Sequence, residues 1–98
     1  MNKELITKWF ELHSEEYLNF KEVLGPKSTR PDVHAFLLLD ELIVSNEYGR
    51  CILSGSVHEK IYLDVDIEEI SSFLTESLVI ELIRSGVCLE DENLFMHI

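Results

Sequence analysis

The sequence predicts an α+β fold: two N-terminal helices, then a small antiparallel sheet with an inserted helix-turn-helix and a C-terminal hairpin. Three observations carry that prediction. Apolar residues in the first half recur at helical steps. Ile61, Leu63 and Val65 alternate with Tyr62 and Asp64, as in a half-buried strand. Gly86 separates a last helical pattern from two short β-type runs, Val87-Cys88-Leu89 and Leu94-Phe95-Met96-His97-Ile98.

Ile6, Phe10, His13, Tyr17, Phe20 and Leu24 follow one another at steps of three or four residues, a single helical stripe that Leu5, Trp9 and Leu12 widen. Gly25-Pro26 offers a left-handed cap followed by a residue that cannot continue a helix. The first helix is therefore expected to end near Leu24, with Ser14 the place where it could break. Pro31-Asp32 suits the first turn of a second helix, expected to run to about Asn46. Phe36, Leu39, Leu42 and Ile43 share one face of it. Leu37, Leu38 and Val44 add apolar surface elsewhere, so it is the expected central helix, with Asp40, Glu41 and His34 toward water.

Arg50 to Leu53 reads as extended, and Ser54-Gly55-Ser56 as turn chemistry, either a tight hairpin or the start of a loop. After the strand, Asp66 and Glu69 have the spacing of a capping box. Ile67, Ile70, Phe73 and Leu74 would form the apolar side of a helix ending near Leu74. Thr75 starts another helix, with Leu78, Val79, Leu82 and Ile83 facing inward, Arg84 near its C-terminus and Gly86 as its cap. Val87, Leu89, Leu94, Met96 and Ile98 are the hairpin residues available to a core. With 98 residues and 46% hydrophobic content there is material for one core. Residues 1–98 are read as one domain, 1–25 an N-terminal amphipathic helix and 31–98 the α+β unit.

From Asp32 onward the order is helix, strand, helix, tight turn at Thr75, helix, strand, turn, strand. This order resembles a winged-helix domain over about two-thirds of the chain, without a diagnostic residue motif. The resemblance implies that residues 75–85 would enter a DNA major groove and 87–98 would form the wing. On this sequence those elements carry Glu76, Glu81 and a single Arg84, and then Glu90-Asp91-Glu92-Asn93.

Charge bears directly on that implication. The chain has 19 acids against 8 bases, a formal net charge of −11. Lys3, Lys8, Lys21, Lys27 and Arg30 balance the five acids of residues 1–30, so the remainder carries the whole excess, opposed only by Arg50, Lys60 and Arg84. Such a surface repels a phosphate backbone and attracts a basic protein. No stretch resembles a secretory signal. The longest uninterrupted apolar run, Ala35 to Leu39, has five residues, far short of the roughly 18–20 that span a bilayer. Cys51 and Cys88 suit free thiols in a reducing compartment, and a cytoplasmic location with no membrane association is expected.

Candidate chemistry is sparse. A zinc site from Cys51, Cys88, His58 and His97 lacks every spacing signature of structural zinc. Cys51 or Cys88 paired with His58 as a nucleophile has no supporting motif. Asp64, Asp66, Glu68 and Glu69 lack the loop pattern of a calcium site. No phosphate loop, nucleophile elbow or dinucleotide fingerprint occurs. The reading is therefore non-enzymatic, with no metal and no cofactor. It is an acidic module that binds a basic protein through Asp64, Asp66, Glu68, Glu69, Glu76, Glu90, Asp91 and Glu92, as an inhibitor, immunity factor or DNA mimic would. The alternative is a winged-helix-like regulatory or assembly protein that forms a homodimer through Trp9, Phe10 and Tyr17.

Overall fold

Ile6 and Phe10 stand one turn apart on α1 (Lys3–Leu12), and both are buried in the computed structural model, which describes residues 3–42, 53–57, 59–90 and 93–97. The apolar stripe that continues past them does not continue the helix. After Leu12 the chain makes two 3-10 turns, Ser14–Glu16 and Phe20–Glu22. Between them Leu18 adopts a left-handed φ of 57°, and its N–H donates to the Ile83 carbonyl at 3.1 Å. That tertiary hydrogen bond replaces a helical one, and Tyr17, Leu18 and Leu24 remain exposed, Leu24 by 93%. The single helix expected over residues 1–25 is thus corrected to a helix of 10 residues and a turned segment. Gly25 does take the left-handed conformation read for it, with φ 57°.

The second helix, α2 (Pro31–Leu42), buries His34, Ala35, Leu38, Leu39 and Leu42. Val33 and Leu37 are exposed, so α2 packs on one side rather than lying centrally, and His34 points inward where the sequence had placed it toward water. Residues 43–46, the expected end of this helix, lie outside the described residues. Two strands follow, β1 (Leu53–Val57) and β2 (Lys60–Asp66). Ser54-Gly55-Ser56 belongs to β1 and is no turn: pairing with β2 overrides its turn preference, and the register slips between Leu53 and Gly55, leaving one extra residue on β1. A single-turn helix, α3 (Ile67–Ile70), comes next and ends short of the expected Leu74, which instead closes a turn by donating its N–H to the Ile70 carbonyl at 3.1 Å.

Thr75 caps α4 (Glu76–Arg84) as read, its hydroxyl accepting from the Leu78 N–H at 3.2 Å. Gly86 leaves the helix with φ 98° and opens the hairpin β3 (Val87–Glu90) and β4 (Asn93–His97). The four strands form one antiparallel sheet in the order β1-β2-β4-β3. Alternation sorts its faces. Leu63, Val65, Val87, Leu94 and Met96 join a single buried cluster with Ile6 and Phe10 of α1, Leu38 and Leu39 of α2, Ile67 and Ile70 of α3, and Val79, Leu82 and Ile83 of α4. Each such side chain contributes roughly 1.5–3 kcal/mol by leaving water, which makes this cluster the main source of stability. The α+β class and the C-terminal hairpin are as the sequence predicts. Among the described residues, no helix is long and apolar enough to cross a membrane.

A Cβ at position 86 would sit 3.0 Å from Leu18 Cδ2 on a backbone that disfavours side chains. Gly86→Ala should cost about 1–3 kcal/mol in urea unfolding. Thr75→Ala, which removes only the cap, should cost about 1 kcal/mol.

Candidate functional site

All three charged residues of α4 are bonded to the N-terminal third of the chain. His13 Nε2 and Glu76 Oε2 are 2.7 Å apart. Arg84 Nε donates to Glu16 Oε1 at 2.9 Å, and Asn19 Nδ2 donates to the same oxygen at 3.3 Å. His34, 1% exposed, is held at both ring nitrogens: the Lys27 N–H donates to Nδ1 at 3.0 Å, and Nε2 meets Glu81 Oε2 at 2.8 Å. Because the backbone donor needs an acceptor at Nδ1, the ring proton sits on Nε2 and is donated to Glu81. The Phe20 ring lies edge-on to this imidazole, with ring centroids 5.6 Å apart. The helix that the winged-helix resemblance would send into DNA therefore has its one cation and both carboxylates engaged within the protein.

The carboxylates singled out from the sequence fall into two places. Asp66 of β2, Asn93 of β4 and Glu90 of β3 are register partners in one row across the sheet. Asp64 lies two residues before Asp66 on β2, and Glu68 and Glu69 follow Asp66 in α3, so the backbone gathers all of these at one end of the sheet. Asp91 and Glu92, which fall between Glu90 and Asn93 in the chain, lie outside the described residues, as do the side chains of Asp66 and Glu69 and hence the capping box read for them. Glu76 stands apart. Glu68 pairs with Lys3 at one end of α1 and Glu76 with His13 at the other, about 15 Å along the helix axis. Glu90 meets Lys60 Nζ at 3.3 Å and accepts from the Tyr62 hydroxyl at 3.4 Å. Lys60 in turn crosses the Phe95 ring, 4.7 Å from its centroid. Phe95, on the sheet face opposite the core, is consequently only 7% exposed.

Of the aromatic residues proposed for a dimer face, Phe10 is buried in the protein's own core and Trp9 packs partly against it, while Tyr17 is exposed. Tyr17 borders a feature that sequence reasoning missed, an open groove of about 730 Å³ between α1 and the edge strand β3. Phe10, Ile83, Val87 and Leu89 supply its apolar lining, and Glu11, Ser14, Tyr17, Cys88 and His97 its polar atoms. Burial pushes the Cys88 thiol upward against an opposing pull from the Lys60 charge, so the sulfur stays protonated. Desolvation raises the Tyr17 hydroxyl as well, with a smaller contribution from Cys88. The groove joins residues of α1, the turned segment, α4, β3 and β4, and no local pattern announces it. Among the described residues, no group of three or more His, Cys, Asp or Glu side chains could hold a metal ion. Cys51 and His58 of the considered zinc set lie outside those residues, and Cys88 is a free thiol.

Fold and surface thus define a small acidic α+β protein with a carboxylate-rich sheet end and a separate, mostly apolar groove. No family model matches the chain, and no curated protein or solved structure is significantly similar to it.

The His34 hydrogen bonds predict a proton on Nε2 with Nδ1 as acceptor, to be read from ring ¹⁵N shifts. His34→Leu, which orphans both partners, should destabilise by about 2–4 kcal/mol. The Arg84 hydrogen bond, aided by Asn19, holds the Glu16 carboxyl below its ordinary value. Its contribution is therefore complete above the ordinary carboxylate range and is lost as pH falls through the folded-state titration. Glu16→Gln should flatten the acid limb of the stability profile.

Proposed function

We propose that the protein is a non-enzymatic binding module whose acidic sheet end docks on a basic protein surface, in the manner of an inhibitor, immunity factor or DNA mimic that acts on a nucleic-acid-handling protein. The observation that carries this reading is the row Asp66, Asn93, Glu90, which brings the acids of residues 64–69 to the same end as Glu90. Among the described residues of that end, Glu68 pairs with Lys3 and Glu90 with Lys60, and both pairs are exposed. Exposed pairs are worth about 1 kcal/mol or less, so an incoming Lys or Arg can exchange with them at little cost. A dense carboxylate field would act mainly on the encounter rate.

The winged-helix-like regulator has less support. Arg84 is committed to Glu16, which leaves α4 without a cation to offer phosphate, and direct nucleic-acid binding is disfavoured. Dimerisation through the N-terminal segment would have to use Trp9 of α1 and Tyr17 of the turned segment, without the buried Phe10.

A pull-down at low salt, with and without nuclease, should recover a basic protein that survives nuclease and elutes with salt. With that partner in hand, Glu90→Lys, Asp91→Lys and Glu92→Lys combined should slow association by about tenfold or more at low ionic strength. An unchanged on-rate would remove this end of the sheet from the interface, and nuclease-sensitive recovery of DNA would favour the regulator.

A further inference from the structure

We propose that the groove between α1 and β3 is a second, independent binding site, for a small organic cation with an apolar body whose charged head meets Glu11. The groove's volume of about 730 Å³ lies within the range of sites that enclose small ligands. Phe10, Ile83, Val87 and Leu89 would take the apolar body. Thr7, Phe10, Glu11 and Ser14 follow at one-turn spacing, so α1 and the residues after it present this wall as a single face.

The charge of the head follows from what the lining leaves unsatisfied. The polar side-chain atoms of Glu11, Ser14, Tyr17 and His97 make no hydrogen bond or ion pair among the described residues. Among the described lining residues Glu11 is the only carboxylate. Among the described residues His13 pairs with Glu76, Arg84 with Glu16 and Lys60 with Glu90, and no ion pair joins Glu11 to Lys8, three residues before it on α1. An anionic ligand would meet Glu11 and a chain of net charge −11, whereas a cationic one is favoured by both. The Cys88 thiol, protonated and half-buried, adds a polarisable neutral contact rather than a nucleophile.

The test compares three probes that share an apolar tail, octylammonium, octanol and octanoate. Each is titrated below its micellar concentration into the full chain and followed by amide NMR shifts. Octylammonium should give saturable shifts at Thr7, Ser14, Val87 and Leu89, with octanoate weaker by about tenfold or more. Glu11→Gln, a change at an exposed position, should bring octylammonium to within about threefold of octanol, while Glu15→Gln, an exposed carboxylate outside the groove, should leave the preference intact. Absence of saturable shifts in the groove, equal binding of octanoate, or a cation preference that survives Glu11→Gln would each overturn the proposal. None of these outcomes bears on the acidic sheet end, whose charge reversal is read in a different assay.

Discussion

The apolar face of α4 is the constraint on which the rest of the fold depends. Val79, Leu82 and Ile83 are buried between α1 and the sheet, and their transfer from water outweighs any single polar contact the helix makes. The polar contacts have a different part. Because Glu76, Glu81 and Arg84 each reach a distinct point between His13 and His34, they set how the helix is rotated and which stretch of the N-terminal segment lies over it. Apolar burial alone would tolerate several rotations. A buried imidazole with both nitrogens satisfied tolerates one, since turning α4 away would leave a donor and an acceptor without water or partner.

Local rules account for what was legible in the sequence. Thr75 and Gly86 bracket α4 because a hydroxyl cap and a positive φ are properties of single residues and their neighbours. The hairpin and β2 follow from period-two alternation, which shows directly which side chains face the core. The misread stretches depended on residues far away in the chain. Nothing between Leu12 and Leu24 says that Leu18 will donate to Ile83, and nothing around His34 says that Glu81, 47 residues on, will meet it. Ser54-Gly55-Ser56 has turn composition, yet a neighbouring strand conscripts it. The sheet-end acids were visible as runs, whereas the placing of Asp66 and Glu90 in one row with Asn93 required the register. The groove was invisible for the same reason, being made where α1, the turned segment, the end of α4, β3 and β4 happen to converge.

These two surfaces divide the chemistry of the chain. At the sheet end Asp64, Glu68 and Glu90 are exposed, and Glu68 and Glu90 share cations with Lys3 and Lys60, the contact surface that the proposed docking on a large basic partner would use. In the groove Glu11 stands beside the apolar walls formed by Phe10, Ile83, Val87 and Leu89, so the proposed site would select by shape as well as by charge. Separate placement means that each can be altered without disturbing the other, because the core cluster lies between α1 and the sheet and neither surface supplies more than a few of its members.

The slipped register of β1 has an effect beyond the fold itself. An open four-stranded sheet has two outer edges, and an outer strand with a regular ladder is a template on which another chain can add. On β1 the extra residue beside an exposed Gly55 breaks the spacing of outward-facing donors and acceptors, so a second strand laid alongside would find them out of step. On the opposite edge α1 and Tyr17 stand beside β3. In a chain rich in Ile, Leu and Val, the slipped register of β1 works against strand addition at that edge, and a net charge of −11 adds repulsion between copies.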